Sequence, residues 1–207
     1  KTNIRDLIFN KKFYYEGYPG IRDLMILNNK IYVSYNNTPT HECYNTTIMV
    51  SDLNLTKLNF SKFFTYDECV SKENKKFQSN GAPATWSGGG KMFTYKDGKI
   101  LFTIGEYNDR TRAQNKKSMF GKIFSINLKT KSHELVSMGH RNPQGLFYDK
   151  KNDVIISTEH GPKGGDEINI NRNASSKEIE NFGWPISSYG VHYDGIERKE
   201  APLYKSH

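Results

Sequence analysis

The sequence predicts an all-β protein of β-propeller type, on three observations. Short β-branched and aromatic runs alternate with tight polar turns, three of the resulting hairpins share one pattern, and helical periodicity is nearly absent. The 207 residues carry 13 Tyr and 12 Phe spread from end to end, so the chain has the means to bury a core and does not read as disordered. Its longest apolar runs, such as residues 100–104, fall far short of the roughly 18 to 20 residues of a membrane-spanning helix.

The first hairpin is Leu24-Met25-Ile26-Leu27, then Asn28-Asn29-Lys30, then Ile31-Tyr32-Val33-Ser34. The second is Met92-Phe93-Thr94-Tyr95, Lys96-Asp97-Gly98-Lys99 and Ile100-Leu101-Phe102-Thr103. The third runs Leu146-Phe147-Tyr148, a turn over residues 149–153, and Val154-Ile155-Ile156-Ser157. Asn-Asn and Asp-Gly suit the turns because they tolerate positive φ. Residues 122–127 and 134–137, around Leu128-Lys129-Thr130-Lys131, form a looser fourth candidate. Equivalent second strands begin at Ile31, Ile100 and Val154, offsets of 69 and 54 residues, which suits four-stranded units with loop insertions. A β-sandwich accommodates the same strands, but its hairpins need not repeat. The one weak helical candidate is residues 175–181, stopped by Gly183. The chain reads as a single propeller-type domain over residues 1–207. It starts at Lys1 without Met or a signal peptide and stops at His207, as a fragment or a processed chain would.

Lys plus Arg number 30 against 22 Asp plus Glu, a net charge of +8. The lysines pair at residues 11–12, 75–76, 116–117 and 150–151, beside Asn, Ser or Asp in apparent loops. Without a zinc-finger, RNA-recognition or helix-turn-helix signature, these read as solvation, and no nucleic-acid partner is expected.

The densest polar segment is Gly139-His140-Arg141-Asn142-Pro143-Gln144-Gly145. Arg141 offers a fixed fork of donors for a carboxylate, and Asn142 supplies both a donor and an acceptor. On the residues alone, a ligand pocket and the satisfaction of loop carbonyls both remain open. A second segment, Glu159-His160-Gly161-Pro162-Lys163-Gly164-Gly165-Asp166-Glu167, turns the chain so that carbonyls can converge near carboxylates, which suits a hard cation such as calcium. A Gly-rich loop before an acidic strand is the alternative. Asn181-Phe182-Gly183-Trp184-Pro185 reads as an aromatic turn packed at a sheet edge.

These segments, with Tyr189-Gly190, Tyr193-Asp194-Gly195 and an upstream stretch running from Ile104-Gly105-Glu106 through Ala113-Gln114 to Gly121-Lys122-Ile123, resemble the soluble PQQ-dependent glucose/sorbosone and aldose sugar dehydrogenases. The resemblance covers roughly residues 89–195. It implies a six-bladed propeller, of which this chain would supply about four blades and be incomplete at its C-terminal end, holding pyrroloquinoline quinone (PQQ) beside calcium, with a small-molecule sugar as substrate and a periplasmic or extracellular location. On the matching positions Arg141, Asn142 and Gln144 would contact the quinone. The main-chain carbonyls of Gly161 and Pro162 would ligate calcium, with Asp166 and Glu167 as weaker candidates. In the family a His takes the proton of the sugar C1 hydroxyl while hydride passes to the quinone. Here Ser87, in Trp86-Ser87-Gly88-Gly89-Gly90-Lys91, stands at that position, and a serine cannot take the proton unaided. His41, His133, His140, His160, His192 and His207 sit in other segments, none an evident substitute.

In the oxidising compartment the family implies, Cys43 and Cys69 would close a disulfide; two partly buried thiols are the alternative. Two functions follow from the resemblance: a PQQ- and calcium-dependent sugar dehydrogenase, or a non-catalytic propeller of the same descent that binds a sugar, glycan or protein.

Overall fold

The computed structural model describes residues 1–4, 20–40, 43–71, 85–199 and 201–203. The lysine pairs at 11–12 and 75–76, and His41 and His207, lie outside the described residues; the pairs at 116–117 and 150–151 are exposed.

Three sheets, built mainly of antiparallel pairs, follow one another along the chain. The first comprises β1 (Ile21–Leu27), β2 (Lys30–Thr40), β3 (Cys43–Asp52) and β4 (Ser61–Phe64), with β5 (Val70–Ser71) paired to β3. The second runs β6 (Gly89–Thr94), β7 (Lys99–Ile104), β8 (Lys122–Asn127) and β9 (His133–Met138). The third holds β10 (Pro143–Asp149), β11 (Val154–Glu159) and β12 (Glu167–Asn171). Each is a meander, and the first strands β1, β6 and β10 pack side by side, the arrangement of propeller blades around a common axis. Ile31, Ile100 and Val154 open the second strand of their respective blades, the equivalence expected from the repeat.

Local chemistry sets the hairpins. Asn28 and Asn29 sit at φ 51° and 55°, and Leu27 pairs with Lys30, so the two-residue turn carries the left-handed backbone that matches strand twist. Asp97 and Asp153 provide the same conformation at the β6–β7 and β10–β11 turns. The fourth hairpin candidate is present as β8 paired with β9, and it forms the outer half of the second blade, because β8 pairs with β7 from Lys99↔Asn127 to Ile104↔Lys122. One expectation is corrected. Residues 175–179 form turns and bends with no helix; β13 (Glu180–Asn181) then pairs in parallel with β9, placing the aromatic turn at a sheet edge. The described helical turns that matter for the site are 3₁₀, at Thr85–Ser87 and Arg110–Gln114. No helix among the described residues is long and apolar enough to cross a membrane.

The second blade is covered on both faces, which explains why β7 is apolar at consecutive positions from Ile100 to Phe102. Ile100, Phe102 and Ile104 join Tyr35, Ile48 and Phe64 in a core shared with the first blade. Leu101, between them in sequence, joins Leu146 and Ile155 in the core shared with the third. Cys43 and Cys69 are bonded, fastening the segment after β4 to the start of β3.

Candidate functional site

Five connections converge at one end of the blades, stitched by backbone hydrogen bonds. Gly105 N–H donates to Gly88 O (3.0 Å), Glu106 N–H to Arg141 O (2.9 Å), His160 N–H to Asn142 O (3.2 Å) and Trp184 N–H to Gly139 O (3.0 Å). Gly105 is required here, since a Cβ would overlap the Ser87 carbonyl. The convergence leaves a cavity of about 450 Å³, in the range of small-molecule sites, with Trp86, Arg110, Arg141, Trp184, His192 and Tyr193 among its walls.

Arg141 is 6% exposed. Its guanidinium carbon lies 5.4 Å from the Trp184 ring centre, 5.7 Å from Trp86 and 6.0 Å from Tyr193, and its Nη1 donates to His160 O at 2.7 Å. The aromatic faces favour the cation. No carboxylate pairs with it among the described residues, so the remaining donors of its fork have no protein anion to satisfy them. Arg110, on the 3₁₀ turn after β7, lines the same cavity and likewise forms no ion pair among the described residues; burial lowers its pKa. The Trp184 indole N–H is buried without an acceptor among the described residues.

Beneath Arg141 lies a largely buried network that fixes its main chain. Glu159 accepts the Arg141 N–H (2.6 Å) and the Asn169 amide, and meets His140 Nδ1 at 3.2 Å; His140 Nε2 contacts Ser137 Oγ at 2.8 Å. Asn142 is buried below the cavity wall, accepting the Gly89 N–H (3.1 Å) and donating to Trp86 O (3.4 Å), so it braces the turn that carries Trp86.

Ser87 is fully buried and donates to Glu106 Oε1 at 3.1 Å. Glu106 is itself sealed, with Oε2 unpartnered among the described residues. Burial raises its pKa, against the lowering influence of Arg141 and Arg110. Ser87 therefore lies behind the cavity wall.

Pro162 lines the cavity, and its carbonyl accepts the Gly165 N–H at 2.9 Å, leaving one lone pair. The Gly161 N–H is held by Asp166 Oδ1 at 3.0 Å. Gln144, Asp166 and Glu167 line a separate cleft of about 240 Å³ beside Glu159 and His160. Among the described residues no three His, Cys, Asp or Glu side chains gather as a metal site, so any cation here depends on main-chain carbonyls.

The sequence singled out Arg141 but passed over Arg110, and it mentioned His192 only to set it aside. Their available signals were local: Tyr107 and Asn108, at φ 54° and 66°, bend the chain before Arg110, and a two-bond bridge between Val191 and Lys163 seats the His192 segment against the loop of Pro162.

Comparison with known proteins extends the geometry. Aldose sugar dehydrogenase YliI of Escherichia coli K12 is 32% identical over 126 residues, 55% of this chain and 33% of that protein. The structure of the soluble aldose sugar dehydrogenase from Escherichia coli in its apo form matches with a TM-score of 0.71 and 26% identity, covering 90% of this chain and 55% of that one. The PQQ-bound aldose sugar dehydrogenase of Streptomyces coelicolor, 19% identical with a TM-score of 0.58 over 91% of this chain and 54% of that one, shares the fold. This chain thus spans a third to about half the length of these relatives. The glucose/sorbosone dehydrogenase family model matches residues 11–206, and the chain belongs to that family as a sugar-dehydrogenase-like protein of propeller fold.

Proposed function

We propose that this protein is a PQQ- and calcium-dependent aldose sugar dehydrogenase, oxidising a sugar C1 hydroxyl. One observation carries the reading: two guanidinium groups, Arg110 and Arg141, face one aromatic-walled cavity and neither has an ion-pair partner among the described residues. Guanidinium groups in a cavity with no ion-pair partner among the described residues favour an anionic ligand, and flat aromatic walls favour a planar one. The residues present fit PQQ, a planar polycarboxylate. Arg141 and Arg110 would hold its carboxylates, Trp86 and Tyr193 would flank its ring plane, and the carbonyls of Gly161 and Pro162 would serve calcium. When bound, PQQ supplies the hydride acceptor.

The relatives' names, aldose sugar dehydrogenases, support the substrate class. A disulfide between Cys43 and Cys69 supports a periplasmic or extracellular location, because such bonds persist in oxidising compartments. The second reading, a propeller that binds without chemistry, draws on the burial of Ser87.

The test is an absorbance titration of PQQ in calcium chloride, followed by dye-linked turnover across a panel of aldoses. Arg141→Ala removes charge-assisted bonds of about 1.5–3 kcal/mol, so PQQ affinity should fall roughly ten- to a hundredfold. Unchanged affinity refutes the site. PQQ binding without turnover on any aldose selects the second reading.

A further inference from the structure

We infer that His192 Nδ1 is the proton acceptor facing the substrate hydroxyl in this cavity, in place of Ser87. The inference rests on the sugar-oxidising reading above. His192 lines the cavity with Arg110 and Arg141, whereas Ser87 is sealed behind its wall and already bonded to Glu106.

The hydrogen bonding fixes which nitrogen is available. His192 Nε2 lies 2.7 Å from Ala201 O, and a carbonyl oxygen only accepts, so Nε2 carries the proton. In the neutral ring the lone pair is then on Nδ1. That atom has no partner among the described residues and is not among the sealed polar atoms, so it keeps accessible surface on a residue that lines the cavity. The segment is held in place on both sides. Val191 exchanges two backbone bonds with Lys163, at 3.0 and 3.1 Å, and Gly195 N–H closes a turn on His192 O at 3.0 Å.

Burial and the neighbouring guanidinia disfavour the doubly protonated ring. Burial lowers the His192 pKa, and the Arg198 and Arg110 guanidinia push in the same direction, while the Ala201 carbonyl and Asp194 oppose them. Asp194 is the carboxylate lining the cavity, but its hydrogen bonds to Arg198 hold its carboxyl well below the usual range, which makes it a weak base. In the step assigned to His192, the C1 hydroxyl O–H bond breaks and its proton passes to Nδ1. The C1–H electron pair leaves as hydride to the quinone oxidant, and C1–O becomes a carbonyl.

The test uses the whole chain with ¹⁵N-labelled histidine, PQQ and calcium chloride, with D-glucose as probe and mannitol, which lacks an anomeric hydroxyl, as control. Imidazole NMR at pH 7 should show the Nε2–H tautomer and a bare Nδ1 whose resonance moves with glucose but not with mannitol. His192→Gln keeps an amide donor for Ala201 O. It should bind PQQ within twofold of wild type and lose about 10² to 10⁴ in turnover. An Nδ1–H tautomer, an Nδ1 silent to glucose, or His192→Gln turnover within threefold of wild type overturns the inference. Absence of PQQ binding by the wild type sinks the parent reading instead, and the NMR response of the unmodified protein still decides the role of His192.

Discussion

Replacing Lys122 by Met tests how this fold accommodates a buried cation next to the site. Lys122 is fully buried, and its Nζ donates to the carbonyls of Arg112 (2.9 Å), Ala113 (2.9 Å) and Phe120 (2.6 Å), closing the loop that brings Arg110 to the cavity. In the variant Arg112 O keeps the Asn115 N–H and Ala113 O keeps the Gly139 N–H, so among the described residues only Phe120 O is orphaned. That costs about 1–3 kcal/mol, similar to the benefit of no longer burying a charge, so the pH 7 difference should stay within about 2 kcal/mol. The pH dependence is decisive. Burial lowers the Lys122 pKa from 10.5 to about 8, with Glu68 opposing. Between those values the unfolded chain holds a proton that the native state has released, so wild-type stability rises with pH relative to Lys122→Met. The gain is (10.5 − 8) × 1.36, about 3 kcal/mol. In a domain of this size that is roughly 6–12 °C in Tm. Thermal unfolding of both proteins from pH 7 to 10.5, followed by tryptophan fluorescence, measures the difference. A flat difference would refute the reasoning and show that three carbonyl dipoles fully offset the burial of the ammonium.

Other outcomes follow from neighbouring features. Glu106 has its pKa raised from 4.5 by burial, so above pH 4.5 the native state retains the proton longer than the unfolded chain and stability declines as pH rises toward the folded value; Glu106→Gln should flatten that decline in urea midpoints measured from pH 4 to 7. Removing the disulfide with Cys43→Ser/Cys69→Ser, which opens a loop spanning a sequence separation of 26, should lower unfolding free energy by about 3–4 kcal/mol in denaturant titrations. Ser87→His should lose about 1–3 kcal/mol of stability by overpacking a fully buried position and should raise aldose turnover less than tenfold, both read on one preparation by melting and dye reduction.

Much of the fold was legible because the signals are local. Asn28-Asn29, Asp97-Gly98 and Asp153 mark hairpins through a backbone conformation that few residues adopt, and the apolar strands on either side follow. The assignment of β8 and β9 was not legible. A hairpin signal says that two strands pair, not which sheet they extend, and β8 joins β7 only across a long loop after Ile104. Residues 175–181 had a cap-like start but no apolar stripe to bury, so β9 captures Glu180–Asn181 instead.

The site divides along the same line. Arg141 stood out because a run of polar residues at a strand entrance is costly unless partnered, and the structure supplies the partners: Glu159 for its N–H, His160 O for its side chain, and three aromatic rings around its charge. Arg110 and His192 are single polar residues in loops, 82 positions apart, with no periodicity to flag them. They meet only because the second and third blades pack, which brings the loop after Ile104 and the segment after Gly190 to the same rim. By the family resemblance alone, Ser87 stands where a basic imidazole is expected. Burial and hydrogen bonding pose a different question: which imidazole at this cavity has its proton fixed on one nitrogen and its lone pair left free. His192, pinned through Nε2 to Ala201 O, meets that condition, so with a serine at residue 87 the cavity still has a candidate proton acceptor.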